Sequence, residues 1–298
     1  MRTVSFLLPF TAPARHFLWP TIFVCRAIPH RFCKSGTKTA VGYHTQTWMP
    51  ADYVMMGCQF EGTGDSHIKL SQLNLGADFD GPWYGEGPDE YKVTAPQIQL
   101  SFEGREGIAN YCYFVHDAIP LDDSGENFGP GWLDPDGEPV DPDMILGLGF
   151  WYRDTFNKNR FLQNAGQVNG EPVWEKSFNR DYRMLTPAYP KAVKLSEITF
   201  VDIDNEATWY GDGPDDFKKT ATQLQVPFAN REGIQYYLYY LADGIPLDDS
   251  GENFGPGWVD ADGEPVDLDE IIIPAGRGCW FRPSPNYPKT LMTVQFAK

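Results

Sequence analysis

The chain has 298 residues, of which 42% are hydrophobic and 15% aromatic, and its formal net charge is −17. Nucleic acid is excluded as an expected partner because phosphate binding needs clustered Lys and Arg, and no apolar stretch of the sequence is long enough for a membrane span. The length suffices for two domains with separate cores, and the many Gly, Pro and aromatic residues favour strands joined by turns.

The basic leader, residues 1–40, differs in composition from the rest of the chain. The first acidic residue is Asp52, and all 41 acidic residues follow from there. The leader fits a secretory signal, an Arg-rich organelle presequence, or translated upstream sequence that is not native. We favour the export signal. We expect residues 1–40 to be disordered or cleaved and to lie outside the fold.

One stretch occurs twice without a change, at residues 119–132 and again at residues 245–258. The wider segments 83–140 and 209–266 also match at most positions, and their differences largely preserve volume and polarity. Both copies are therefore expected to share one fold. We predict a mainly β protein built from two tandem homologous antiparallel units, each sandwich- or barrel-like, at 41–169 and 170–298.

Polar and apolar residues alternate, or apolar residues run together, over several short segments typical of strands. We predict strands at 53–60, 97–102, 108–117, 146–153, 160–165, 172–178, 182–185, 235–241, 278–282 and 291–296. Residues 69–74 fit either a short helical turn or a strand. No helical periodicity of useful length is present.

Three cysteines lie outside the leader: Cys58, Cys112 and Cys279. Their counterparts in the other copy are Pro187, Leu238 and Phe150. A cysteine that exchanges with Leu or Phe is typical of a small buried apolar residue. A disulfide between Cys58 and Cys112 is the alternative.

The repeated loop is rich in acidic residues, and carboxylates at short spacing are the ligands that Ca²⁺ requires. The candidate metal ligands are Asp122, Asp123 and Glu126, with Asp248, Asp249 and Glu252 in the second copy. The spacing does not match a helix–loop–helix calcium loop. The alternative is a solvated acidic loop whose Asp and Gly residues make turns.

Aromatic side chains on the repeated Gly-rich loops could stack on sugar rings while neighbouring amides bind hydroxyls. The candidate ligand-binding residues are Trp83, Tyr84, Asn127, Phe128 and Trp132, with Trp209, Tyr210, Asn253, Phe254 and Trp258 in the second copy. The alternative is that these rings cover the ends of the β core.

Catalysis is not expected from the sequence. Outside the leader the histidines are His44, His67 and His116, and none has a histidine counterpart in the other copy. A shared site would therefore lack the usual general base and zinc ligand. Asp123 and Glu126 are the residue types of glycoside hydrolysis, although the type alone is a weak signal.

Several blocks carry a resemblance to other sequences. They are residues 41–47, 69–73, 97–100, 111–114 and 149–152. They resemble blocks in uncharacterised secreted tandem β-repeat proteins of bacteria, which carry an export signal before the first block. The resemblance covers most of residues 41–298. It implies export and a cell-surface or extracellular role, and it implies neither a substrate nor catalytic residues.

We therefore expect a non-enzymatic, secreted or cell-surface protein with a structural or adhesion role. Its expected partners are glycans or cell-surface proteins. The alternative is a carbohydrate-binding module, assisted by calcium as its one candidate cofactor. A hydrolase acting on polysaccharide is the third interpretation.

Overall fold

The computed structural model describes most of both predicted units and two residues of the leader. The described residues are 5–6, 41–48, 53–62, 67–75, 91–103, 105–115, 119–120, 127–128, 130–153, 160–171, 173–179, 181–203, 217–229, 231–241, 245–246, 253–254, 256–286 and 292–297.

Strands dominate the described residues before position 170. They are β1 (Ser5–Phe6), β2 (Val41–Trp48), β3 (Tyr53–Gly57), β4 (Ile68–Lys69), β5 (Gln97–Ser101), β6 (Ile108–Val115), β7 (Ile119–Pro120), β8 (Asn127–Phe128), β9 (Gly131–Leu133), β10 (Asp143–Met144), β11 (Gly149–Arg153) and β12 (Arg160–Gln167). Two short helical segments accompany them, a 3₁₀ turn at Leu70–Gln72 and helix α1 at Tyr91–Thr94. The segment 69–74 is thus mainly a helical turn.

The second half of the chain has a similar set of elements. Its strands are β13 (Val173–Phe178), β14 (Arg183–Leu185), β15 (Val193–Lys194), β16 (Ile198–Val201), β17 (Thr222–Pro227), β18 (Ile234–Leu241), β19 (Ile245–Pro246), β20 (Asn253–Phe254), β21 (Gly257–Val259), β22 (Ile272–Ile273), β23 (Cys279–Arg282) and β24 (Met292–Ala297). A 3₁₀ turn spans Leu195–Glu197, and helix α2 spans Phe217–Thr220. Within the described ranges, no helix has the length and apolar character needed to cross a membrane.

The predicted mainly β class is confirmed, and the main sheets are two five-stranded antiparallel sheets. The first has the strand order β3-β11-β5-β6-β9, and the second has the order β14-β23-β17-β18-β21. Each strand of the first sheet has a counterpart at the same place in the second. Each sheet also has a register irregularity at the same point, after Leu100 in β5 and after Val226 in β17.

Smaller sheets complete each half. Three-stranded sheets have the orders β1-β2-β12 and β13-β24-β16, and β4, β7, β15 and β19 pair with β10, β8, β22 and β20. Strand β1 belongs to the basic leader, and its Ser5 and Phe6 lie opposite Tyr43 and Gly42 of β2. The rest of residues 1–40 lie outside the described residues, and their disorder or cleavage stays a prediction. Strand β2 has unpaired backbone groups on its outer edge, and β1 supplies partners for them.

Each five-stranded sheet has an inner face that packs on a hydrophobic core, and we call the opposite side its outer face. In the first sheet the inner face includes Ile98, Leu100 and Phe150, all at most 6% exposed. In the second sheet Leu224 and Phe281 have the same role. Because side chains alternate along a strand, every second residue of these strands points to the outer face.

The two halves meet through reciprocal backbone contacts. The Gly57 amide donates to the carbonyl of Gly276 at 3.0 Å, and the Thr186 amide donates to the carbonyl of Gly147 at 3.0 Å. Gly57 and Thr186 occupy corresponding places beside β3 and β14. Gly147 and Gly276 likewise correspond, and both have positive φ, 80° and 74°. Each half thus offers the same donor and acceptor to the other.

The cysteines outside the leader are buried, free thiols. The expectation of small buried residues is confirmed for Cys58, Cys112 and Cys279, each 1% exposed, and the alternative Cys58–Cys112 disulfide is wrong. Burial raises the pKa of each thiol to about 12. Such thiols stay protonated at neutral pH and are poor nucleophiles.

Candidate binding surface

Many of the predicted site residues lie outside the described residues. These are Trp83, Tyr84, Trp209, Tyr210, and the six candidate calcium ligands Asp122, Asp123, Glu126, Asp248, Asp249 and Glu252. Two short ladders form within the repeated loop, in which Ile119 lies opposite Phe128 and Ile245 lies opposite Phe254. Asn127 and Asn253 belong to the same ladders. The calcium site stays a prediction.

Two predicted ligand-binding residues lie in the cores. Trp132 is 3% exposed and Trp258 is 5% exposed. The Trp132 ring lies 5.4 Å from the ring of Phe114, and the Trp258 ring lies 5.1 Å from that of Phe200 and 5.6 Å from that of Tyr240. Their faces are occupied by protein, so neither indole is available to stack on a sugar. This is a correction, and it favours the packing alternative for these two residues.

The acidic turns that follow the repeated loop have a structural role. Asp134 Oδ1 accepts hydrogen bonds from the backbone amides of Asp136 and Glu138, both at 2.9 Å. Asp260 Oδ1 accepts the equivalent two bonds at 2.8 and 3.0 Å. A carboxylate that closes its own turn in this way is typical of Asp in loops. Among the described residues, no group of three or more His, Cys, Asp or Glu side chains is arranged to hold a metal ion.

The outer face of the first five-stranded sheet carries a line of three polar and aromatic side chains on adjacent strands. Gln99 on β5 lies opposite Tyr111 on β6 and opposite Trp151 on β11. Residues directly opposite each other in an antiparallel sheet point to the same face. Because Ile98 and Leu100 point inward, these three side chains point outward. We call Tyr111, Gln99 and Trp151 the first row.

The second sheet has the same arrangement. Gln225 on β17 lies opposite Tyr237 on β18 and opposite Trp280 on β23. We call Tyr237, Gln225 and Trp280 the second row. Each row crosses three strands, a width of roughly 10 Å at the usual spacing of ~4.8 Å between strands. The two rows therefore present the same residue types in the same order, from tyrosine through glutamine to tryptophan.

The two rows meet at their tryptophans. The ring centroids of Trp151 and Trp280 are 6.3 Å apart, with an angle of 52° between the ring planes. At the other ends, Tyr111 is 41% exposed and Tyr237 is 43% exposed. The glutamines and tryptophans between them are partly exposed. The result is one line of six side chains that crosses both halves of the protein.

A buried hydrogen-bond network lies beside the first row, one register step further along the same strands. The Tyr53 hydroxyl donates to Gln97 Oε1 at 2.6 Å, and Gln97 Nε2 donates to the Tyr113 hydroxyl at 3.3 Å. Burial raises the pKa of Tyr113 above its ordinary value. Tyr113 therefore stays protonated across the physiological range, and the network fixes the β5–β6 part of the sheet.

The second sheet repeats this network. The Tyr182 hydroxyl donates to Gln223 Oε1, and Gln223 Nε2 donates to the Tyr239 hydroxyl at 3.1 Å. Burial raises the pKa of Tyr239 as well. Each glutamine is held on both sides by tyrosine hydroxyls and is 6% exposed. Both rows thus rest beside a satisfied polar layer, which limits their rearrangement.

Two arginines attach the short helices beside these networks. The Arg153 guanidinium lies 5.1 Å from the Tyr53 ring centroid and donates to the Val93 carbonyl of α1 at 3.2 Å. The Arg282 guanidinium lies 5.2 Å from the Tyr182 ring centroid and donates to the Lys218 carbonyl of α2 at 3.1 Å. Cation–π contact and a carbonyl acceptor together hold each arginine in place.

The rows were not predicted from the sequence as a site. The pattern that could have identified them is the alternation within 97–102, which places Gln97 and Gln99 on one face. Their counterparts Gln223 and Gln225 occur at the same spacing in the second copy. What the sequence does not contain is the pairing of β5 with β11, which brings Trp151 beside Gln99.

Comparisons with protein families, with curated proteins and with solved structures found no match to this chain.

Proposed function

We propose that this protein is a non-enzymatic, exported glycan-binding protein of the cell surface, and that it binds through the two rows. The observation that carries the proposal is the matched tyrosine–glutamine–tryptophan line that meets at Trp151 and Trp280. A flat aromatic face binds the apolar C–H face of a pyranose ring, and the amide between the aromatics binds hydroxyls.

The chemistry of the rows favours a neutral, hydroxyl-rich ligand. None of the six side chains carries a formal charge at neutral pH. The chain as a whole has a net charge of −17, which disfavours acidic polymers. Glutamine offers both a donor and an acceptor, as a sugar hydroxyl requires.

An extended ligand fits better than a small one. Both rows lie on the outer faces of their sheets, and together they extend across two sheets. A polymer gains contacts at every side chain it crosses. Attachment to a glycan polymer is also the role expected of an adhesion protein with an export leader, and the basic, acid-free leader supports export.

A glycan array, followed by calorimetric titration of the positive glycans, tests the proposal. Tyr111→Ala and Tyr237→Ala are the first variants, because both side chains are largely exposed and their loss leaves the cores intact. We expect each to weaken binding about 5- to 30-fold, from the usual ~1–2 kcal/mol of an aromatic contact. Ile272→Ala is the matched control, since Ile272 is 43% exposed on β22 and belongs to neither row.

The same titration in EDTA separates the rows from the predicted calcium loops. The rows contain no carboxylate, so we expect the affinity to be unchanged without Ca²⁺. Complete loss of glycan binding in EDTA would indicate that the glycan binds at the acidic loops and not at the rows. No binding to any glycan by folded protein would refute the proposal, and N-terminal sequencing of protein recovered outside cells tests export.

A further inference from the structure

The two halves of the binding surface are related by an approximate twofold axis. Besides the reciprocal amide bonds of Gly57 and Thr186, Met56 bridges to Arg277 while Leu185 bridges to Leu148. Met56 and Leu185 occupy corresponding places in the two halves, and so do Arg277 and Leu148. Reciprocal contacts of this kind define an isologous interface. The Trp151–Trp280 contact joins residues at equivalent positions, so the axis passes between these two rings.

A twofold axis between the rows reverses their order along the surface. A chain that follows the line meets Tyr111, Gln99 and Trp151, and then Trp280, Gln225 and Tyr237. A glycan chain has a direction, because its reducing end differs from its non-reducing end. Contacts that depend on this direction cannot be the same in both rows. Contacts that do not depend on it can be the same.

The side chains of the rows are of the kind that tolerate either direction. Stacking of an aromatic ring on a pyranose face needs a flat face and has no donor–acceptor polarity. A glutamine amide donates from nitrogen and accepts at oxygen, so Gln99 and Gln225 can serve a hydroxyl in either orientation. A ligand that uses both rows must then present a similar apolar ring face and similar hydroxyls in either direction, and its chain must be unbranched.

Resting on the proposed function, we infer that both rows bind one continuous, linear, neutral, β-linked glycan chain, without regard to its direction. Equatorial β-linkages keep successive rings extended and their flat faces open to the aromatics. The affinity then rises in a step at the chain length that occupies both rows, because the second row binds intramolecularly at a high effective concentration.

The test uses β-1,4-linked oligomers of glucose, mannose, xylose and N-acetylglucosamine, from disaccharide to octasaccharide, and the full chain. We expect a step of about 10- to 100-fold in affinity within one of these series. Trp280→Ala and Trp151→Ala should each abolish the step and leave the same residual affinity for short oligomers. Tyr111→Ala and Tyr237→Ala test the same affinity step in variants that leave the cores intact.

The direction of the bound chain is tested with the long oligomer carrying a nitroxide spin label at its reducing end. Because the chain binds in both directions, we expect equal paramagnetic broadening of the Tyr111 and Tyr237 signals. Binding without a length step, or broadening confined to one row, would overturn the inference and leave the proposed function intact. Failure of every glycan to bind, by protein that melts cooperatively, would remove the proposed function and the inference with it.

Discussion

The protein places two equivalent pairs of tryptophans on opposite faces of the same two sheets. Trp132 and Trp258 are buried on the inner faces, whereas Trp151 and Trp280 meet on the outer faces. The inner pair belongs to the stretch that is repeated without a change. The outer pair lies in segments whose inner-face residues differ, as with Phe150 and Cys279.

This difference shows that identity between the copies does not by itself mark a binding site. Trp132 and Trp258 are needed to fill equivalent cores, and core packing constrains shape strongly. Whether a tryptophan can contact a ligand depends on the face of the sheet to which it points, and the strand register sets that face. The outer tryptophans are partly exposed because β11 and β23 place them on the outer face, opposite Gln99 and Gln225.

The largest expected effect is the difference in stability between variants of the inner and the outer tryptophans. Trp258→Ala should lower the free energy of unfolding by about 3–5 kcal/mol, because it leaves a large cavity among Phe200 and Tyr240. Trp280→Ala should cost only about 1–2 kcal/mol, since its ring is partly solvated. Urea unfolding measures both. Equal costs would mean that the Trp280 ring is a core residue and would remove the distinction between the faces.

The second prediction concerns the place where the inner core of one half meets a turn of the other. Gly147→Ala should cost about 2–3 kcal/mol, because a Cβ there would overlap the Trp174 indole and φ is 80°. Gly170→Ala is the matched control. Nothing lies within 4 Å of a Cβ at that position, so its stability should change by less than ~0.5 kcal/mol. A tolerated Gly147→Ala would show that this contact does not hold the halves together.

The third prediction compares two glutamines of one strand. Gln223→Leu should cost about 1–3 kcal/mol, because it leaves the hydroxyls of the partly buried Tyr182 and the buried Tyr239 without their shared partner. Gln225→Leu should leave the stability nearly unchanged and weaken glycan binding, since Gln225 belongs to the second row. Chemical unfolding and calorimetric titration together separate these roles. If Gln225→Leu unfolds the protein, the row is part of its structural framework.

Much of the fold could be predicted from the sequence, and for physical reasons. Alternation and apolar runs located β5 and nine other strands to within a few residues, and the buried cysteines followed from their exchange with Leu and Phe. Strand β9 has only three residues, too few for a period to show which way Trp132 points. A charged Arg277 is expected at the surface. It is 0% exposed because it lies where the halves meet, with Nη1 3.9 Å from Met56 Sδ of the other half and Nη2 donating to the Phe228 carbonyl at 2.7 Å.

The smallest effect at neutral pH concerns the inner-face thiols and appears only in alkali. Burial raises the pKa of Cys279 from its ordinary 9.0 to about 12. In the unfolded chain this thiol ionises above about pH 9, whereas the folded protein keeps the proton. The stability that the protonated thiol contributes is therefore fully present below pH 9 and is lost progressively as the pH rises toward 12.

Cys279→Ala should therefore flatten the alkaline decline in stability, measured as urea midpoints at a series of pH values from neutral upward. Tyr239, on the outer face, has a raised pKa for the same reason and adds its own decline. The same measurement on Tyr239→Phe gives the share of the alkaline decline in stability that comes from the outer face. Unchanged alkaline slopes in Cys279→Ala would show that the thiol is solvated. In that case the inner face of the second sheet would be more accessible to solvent than the outer face, the opposite of the difference described above.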